Sequence, residues 1–315
     1  MKLLILGAGA LGSLMADELL RAGHEVTLLA RGKRFEELHQ HGLIVRHYLQ
    51  LRTSCTKPAV VDAPLKDTIY DAAFCVLQYT QLDAAMETLC RVHAGIYVLV
   101  GNNPDPEEAK RRFQECGGDA ERLLFAFLGA GGRRERGKAI CVHRRRISLT
   151  AGALSGGDMQ KQTLEQALSG SSITLYWEAD IAAWLIYHIA IVAPASWAIY
   201  SVNGNLHALA SDNALLQTMI FAVREAMEAL KQTGVRHEAT ERALAVPDQK
   251  LMRLLKLLLY TPLGRLMAGD HAMSAKGEMA ALGAALDKRI AYAPEDVNVS
   301  SYLKLKQFAP DAQTT

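Results

Sequence analysis

The constraint that narrows the fold most is a glycine pattern at the very start. Leu3 to Leu6 is an apolar run of buried-strand type, followed at once by Gly7-Ala8-Gly9-Ala10-Leu11-Gly12 and a helical stretch from Ser13 to Ala22. Strand, glycine turn and helix in that order form the dinucleotide-binding fingerprint. Gly7 permits the tight turn, and Gly9 lets a pyrophosphate approach the backbone. Gly12 lets the helix pack close to the strand, while the N–H groups of Ala10, Leu11 and Gly12 at the helix start face the phosphates. The competing reading is an ordinary βα turn. The second strand, His24 to Ala30, arrives at the spacing the fingerprint expects.

The end of that second strand discriminates between nicotinamide cofactors. A carboxylate there accepts hydrogen bonds from the ribose 2′-hydroxyl and repels a 2′-phosphate. This chain has Arg31-Gly32-Lys33-Arg34 instead, and its first acid is Glu36. Arg31 can fork onto a phosphate, with Lys33 or Arg34 adding charge. The expected cofactor is therefore NADP(H); a solvated basic loop is the alternative.

With 315 residues the chain can bury two cores of ordinary size. Its 35 basic and 33 acidic side chains leave a net charge of +2, which gives no footprint for nucleic acid or an acidic membrane. Trp184 to Tyr200 is apolar but short and interrupted by His188 and Pro194, so a buried helix is expected rather than a membrane span. Five scattered cysteines without CxxC spacing read as reduced core residues, with no metal site. Met1-Lys2 runs straight into the first strand and leaves no room for a signal peptide, so the cytoplasm is the expected compartment.

Two grammars divide the chain. Up to about residue 178, short β-rich runs alternate with helical ones: Ala59–Val61, Ala72–Leu77, Ile96–Val100, Leu123–Leu128, Lys138–Val142, Ile147–Thr150 and Ile173–Trp177 read as strands, Leu82–Val92 as a helix. Beyond Glu178, the runs Asp180–Tyr200, Leu206–Thr233, Glu238–Leu259 and Met273–Ala291 are all helical in pattern. The expected fold class is α/β: a Rossmann-like doubly wound sheet over 1–178, then an all-helical domain over 179–315 for substrate and dimerisation, with apolar stripes such as Leu251–Tyr260 open to a homodimer interface or to core packing. Ligands of such sheets sit at the carboxyl ends of the strands, which places Leu77, Gln78 and Asn102 beside the cofactor.

The opening Leu-Ile-Leu-Gly-Ala-Gly-Ala-Leu-Gly-Ser, the basic Arg31, the strand ending Leu99-Val100-Gly101-Asn102-Asn103-Pro104, Asp180-Ile-Ala-Ala-Trp184 and Gly277-Glu278-Met279 together resemble the ketopantoate reductases (2-dehydropantoate 2-reductases). The resemblance implies an NADPH-dependent reductase of a small 2-oxo acid, with Asn102 facing cofactor and substrate and Glu278 at the acidic substrate position. It also implies a general-acid lysine two residues after the tryptophan and an asparagine four residues further on. Those places hold Ile186 and Ala190, or Leu185 and Ile189 with a shift of one, and no lysine occurs between Lys161 and Lys231. A second lysine of the family, after the third strand, is matched by Leu77.

An aliphatic residue cannot protonate the alkoxide that forms as hydride reaches a carbonyl carbon. The expected replacement is His271 paired with Glu278, seven residues apart and so on one face of a single helix. His188 is a second candidate, with Tyr187, Lys276, Tyr260 and Ser274 behind them. The substrate is then ketopantoate or another small carbonyl or imine compound. The alternative from a different class is a non-catalytic NADPH-binding sensor or scaffold.

Overall fold

The computed structural model describes residues 1–238, 242 and 246–311, without the side chains of residues 267 and 271. Contacts divide the chain into two compact units. The first is Met1–Gly101 with Asp105–Ile181, and the second is Asn102–Pro104 with Ala182–Thr315. The sequence places the change of grammar near residue 178; the second unit begins at Ala182 and takes in three residues from much earlier in the chain.

The first unit carries an eight-stranded sheet. In chain order its strands are β1 (Lys2–Leu6), β2 (Glu25–Leu29), β5 (Ala59–Val61), β6 (Ile69–Val76), β7 (His93–Val100), β8 (Leu123–Leu128), β11 (Ile147–Gly152) and β12 (Ile173–Trp177). Their spatial order is β12-β11-β8-β7-β6-β1-β2-β5. The core strands β1, β6 and β7 are apolar on both faces because helices cover both sides, as a parallel sheet requires. Chain order reverses between β1 and β6, so the crevice at their carboxyl ends is the switch point where ligands of open α/β sheets bind. The sheet is not wholly parallel, since β11 runs antiparallel to β8.

A second sheet was not anticipated. β3 (Leu43–His47) and β4 (Arg52–Thr56) pair antiparallel, and β10 (Lys138–His143) joins them between β3 and β9 (Ala130–Glu135). β4 has no apolar alternation to signal it, with Thr53 and Cys55 exposed and Arg52, Ser54 and Thr56 half-buried. This sheet packs on α1 (Ala10–Arg21) through one buried polar cluster. His47 Nε2 meets Asp17 Oδ2 at 3.1 Å, and His47 Nδ1 meets His143 Nε2 at 2.9 Å. The His143 Nδ1–H donates to the Arg144 carbonyl at 2.8 Å, so its Nε2 is the acceptor for His47. Asp17, Glu18, His47 and His143 are all buried.

The basic stretch after β2 is another correction. Lys33 and Arg34 do not lie in a loop; they open α2 (Lys33–His41). α3 (Tyr79–Cys90), α4 (Pro106–Glu115) and α5 (Asp158–Leu168) complete the helices of this unit.

The second unit is helical in all its described residues apart from the joining segments. Its longest helix, α6 (Ile181–Ser201), is long and apolar enough to cross a membrane, but 67% of its most apolar window is buried inside the protein. Leu185, Ile189, Ala190, Ala193 and Trp197 are all fully or almost fully buried along it, which makes it the core of the unit. The expected Leu206–Thr233 helix is two helices, Leu206–Ser211 and Asn213–Gln232. Asp212 separates them, accepting the Leu215 N–H at 2.9 Å as an N-cap. Further on come Asp248–Leu259, Asp270–Ser274, Lys276–Ile290 and Ser300–Lys306.

Burial lowers the affinity of His143 for a proton, more than the Arg144 carbonyl raises it. An unfolded histidine protonates at about its ordinary 6.5, before the folded one does. The unfolded state therefore binds the extra proton, and stability falls as the pH drops through 6.5. Urea unfolding measured across that range should show this loss, and His143→Gln should flatten it.

Candidate functional site

The glycine turn shows why each of its glycines is needed. Gly7 has φ +110°, and a Cβ there would stand 2.3 Å from the Val76 carbonyl oxygen at the end of β6. A Cβ on Gly12 would stand 1.9 Å from the Gly7 carbonyl oxygen. Both are impossible contacts, so the turn and the close seat of α1 exclude any side chain at these two positions. Gly9 differs, because a Cβ there meets nothing within 4 Å. It is exposed, and its missing side chain leaves open space in front of the helix start.

That helix start is electrostatically unfilled by the protein itself. Gly9 is the N-cap and offers no side-chain cap, and the first turn contains no acid. The first intrahelical bond runs from Ser13 N to Gly9 O at 3.0 Å, which leaves the N–H groups of Ala10, Leu11 and Gly12 for an anion. Open space, free amides and the positive end of a twelve-residue helix fit a pyrophosphate. Leu77 and Gln78 follow β6 directly, both half-buried, and Gln78 N donates to Gln81 Oε1 at 3.3 Å to start α3.

Of the three cations after β2, two remain at the surface. Arg31 is exposed and donates to Thr88 Oγ1 at 2.6 Å; Lys33 is exposed. Arg34 is turned inward and only 8% exposed. Its guanidinium donates to Ala8 O at 3.1 Å, Ser13 Oγ at 3.1 Å and Gly137 O at 2.9 Å, and pairs with Glu37 at 3.3 Å. Expected as a phosphate ligand, Arg34 is instead a brace that ties α2 to the glycine turn. Three basic residues in a row do not reveal in sequence which of them the helix will bury.

Asn102, which directly follows β7, meets the other residue the resemblance singled out for the substrate. It belongs to the second unit and is 8% exposed there. Its Nδ2 donates to Glu278 Oε1 at 3.4 Å, and Glu278 is itself 3% exposed. The Asn102 Oδ1 is buried and accepts no hydrogen bond from the described residues. Nearby on α6, Tyr200 O–H donates to the Ala272 carbonyl at 2.7 Å. Burial first, then the charge of Glu278, pushes the Tyr200 phenol well above its ordinary range, against a hydrogen bond from Ser196. The Lys276 ammonium lies over the Tyr200 ring, 5.7 Å from its centroid. Asn102, Ser196, Tyr200, Lys276 and Glu278 thus form one polar group in the helical unit. Ser196 and Tyr200 were missed in sequence because they sit in the least polar helix of the chain and read as filling.

The expected histidines fare otherwise. His271 lies in the Asp270–Ser274 helix, and its side chain is outside the described residues. That helix ends before Ala275, whose φ of −118° and ψ of 33° break it from Lys276–Ile290. His271 and Glu278 therefore do not share one continuous helix face, and the seven-residue spacing does not pair them. His188 is half-buried and stacks on Trp184, one turn earlier, with ring centroids 5.2 Å apart and planes 6° from parallel. Tyr187 donates its hydroxyl to the Val235 carbonyl at 2.9 Å. Leu185, Ile186, Ile189 and Ala190 are buried and offer no polar atom at all.

One further set of donor atoms could hold a cation. The ligand atoms of Asp17, Glu18 and His47 lie within 4.8 Å of one another. The positive charge the protein itself supplies there is Arg52, 3.4 Å from Glu18 Oε1.

Residues 3–154 match the family model described as ketopantoate reductase PanE/ApbA. A 2-dehydropantoate 2-reductase of Pyrococcus horikoshii is 35% identical over 69 residues, spanning 22% of this chain and 23% of that protein. The solved 2-dehydropantoate 2-reductase of Geobacter metallireducens superposes with a TM-score of 0.77 at 14% identity, covering 98% of this chain and 99% of that one. A D-mandelate dehydrogenase solved with NADH and anilino(oxo)acetate gives 0.74 at 15% identity, over 98% and 97%. At such identities the likeness is one of fold.

The two kinds of glycine predict opposite phenotypes. Gly12→Ala should cost about 1–3 kcal/mol or more of stability through the forced clash, read as a drop in Tm. Gly9→Ala should keep its Tm yet lose dinucleotide affinity, read by fluorescence titration.

Proposed function

For a chain whose residues 3–154 match the ketopantoate reductase PanE/ApbA family model, we propose an NADPH-dependent reductase of a small carbonyl compound of that family's type. Ketopantoate or another 2-oxo acid is the first substrate class to test, and an imine the second. The observation that carries this reading is the buried pair of Asn102, directly after β7, with Glu278, the Asn102 Oδ1 having no donor among the described residues. A buried acceptor without a partner costs about 1–3 kcal/mol, and a substrate hydroxyl would supply the missing donor.

The reduced nicotinamide, when bound, supplies the hydride. The residues of the chain bind and orient. The amides of Ala10, Leu11 and Gly12 would hold the pyrophosphate, and Arg31 with Lys33 would hold the 2′-phosphate. Asn102 and Glu278 would hold the polar end of the substrate. The D-mandelate dehydrogenase neighbour was solved with NADH. In this chain the exposed Arg31 and Lys33, with no carboxylate before Glu36, favour the phosphorylated cofactor.

A second reading has a specific observation behind it. Leu185, Ile186, Ile189 and Ala190 are sealed apolar core where the family resemblance places a lysine and an asparagine. A protein that binds NADPH without turning it over would tolerate that core. Steady-state loss of reduced-nicotinamide absorbance with a panel of carbonyl compounds separates the two readings. Turnover on the order of 1 s⁻¹ or more supports the reductase; tight NADPH binding with no turnover supports the sensor.

Three variants sharpen the test. Arg31→Ala should abolish the preference for NADPH over NADH while leaving Tm in place, whereas Arg34→Ala should lower Tm because it removes the brace on Ala8 and Ser13. Glu278→Gln should lower kcat/KM about 10-fold or more, equivalent to about 1.4 kcal/mol of transition-state stabilisation.

A further inference from the structure

Reduction of a carbonyl leaves a negative charge on oxygen, and that oxygen must be given a proton. Within the polar group of the helical unit the Ser196 hydroxyl is engaged with Tyr200, and two other residues carry a proton that could be given: Tyr200 and Lys276. Their surroundings differ. The Tyr200 hydroxyl already donates to the Ala272 carbonyl at 2.7 Å, and burial with the Glu278 charge makes it hold that proton tightly. Lys276 is exposed, and its ammonium is held against the face of the Tyr200 ring at 5.7 Å from the centroid, within the range of a cation–π contact.

The position of Lys276 is also costly for the helix it opens. It is the first residue of Lys276–Ile290, and the preceding Ala275 caps with no side chain. A cation at a helix N-terminus opposes the macrodipole by about 0.3–1 kcal/mol. A lysine in that position does not serve the stability of its own helix. Two residues on is Glu278, the buried carboxylate that accepts from Asn102.

Resting on the reductase reading above, we infer that Lys276 is the proton donor, with the Tyr200 ring positioning its ammonium. As the hydride of a bound nicotinamide dinucleotide forms the new C–H bond, the π pair of the C=O moves onto oxygen. One N–H bond of the Lys276 ammonium breaks and its proton forms the O–H bond of the product alcohol. The lysine is left as a neutral amine. Because Lys276 is exposed, water returns its proton before the next cycle. Tyr200 keeps its own proton on Ala272 throughout.

The test is the pair Lys276→Gln and Lys276→Ala in the full chain with NADPH and a carbonyl substrate that the wild type reduces. Lys276→Gln should lose kcat by about 100-fold or more, the scale of a general acid, with little change in KM. Its Tm should hold or rise, since the variant removes an unfavourable charge from the helix start. Calorimetric binding of a non-reducible 2-oxo acid mimic to the NADP⁺ complex should be unchanged. Added methylamine should restore turnover to Lys276→Ala in proportion to its concentration. A Lys276→Gln enzyme that keeps its kcat overturns the assignment. So does a rise in KM and in the mimic's dissociation constant at constant kcat, which would make Lys276 an anchor for the substrate carboxylate. Loss of turnover in Tyr200→Phe, with kcat retained in Lys276→Gln, would move the donor to the phenol. A wild type that binds NADPH and reduces no carbonyl compound defeats the reductase reading itself and the assignment with it.

Discussion

The close seat of α1 against the ends of β1 and β6 is the contact on which the first unit depends. Two glycines make it possible: the Gly7 carbonyl occupies the space that a Gly12 side chain would need, and the Val76 carbonyl occupies the space of a Gly7 side chain. With the helix held that near, its first three amides and its positive end face open space beside Gly9. Arg34 then fixes the arrangement from behind by holding Ala8 and Ser13. The buried Asp17–His47–His143 chain holds the same helix to the second sheet. Packing, polar bracing and anion affinity all follow from one backbone approach that any side chain would prevent.

In the helical unit the organising feature is polar rather than steric. α6 is apolar along most of its length and packs as a core helix, yet Ser196 and Tyr200 near its end meet Glu278, with Asn102 arriving from a remote part of the chain. Buried polar groups are stable only when paired. Tyr200 is satisfied by Ala272, and Glu278 receives Asn102. Among the described residues the Asn102 Oδ1 has no donor.

The strands of the large sheet and the glycine turn were legible because their signals are local. Apolar runs of strand length, and glycines at fixed spacing, require no knowledge of what lies across the fold. The small sheet was not legible, since β3 gains its second neighbour only when β10 arrives about ninety residues later, and β4 carries no apolar alternation. Arg34 failed as a phosphate ligand for a related reason. Arg31, Lys33 and Arg34 have the same chemistry in sequence, and only the turn of α2 decides which one points inward. The seven-residue spacing of His271 and Glu278 does not set them on one helix face, because the break at Ala275 depends on backbone angles that spacing cannot report.

By itself, then, the sequence determined the βα turn that can take a dinucleotide, the alternating first half and the helical second half. Those are set by short-range sterics and by hydrophobic periodicity. Tertiary structure alone decided which cation braces and which remains exposed. It also took Asn102 out of the first unit and set it on Glu278, and it left Lys276 against the ring of Tyr200. The physical reason is range. A buried polar group is defined by partners far away in the chain, and their convergence is written only in three dimensions.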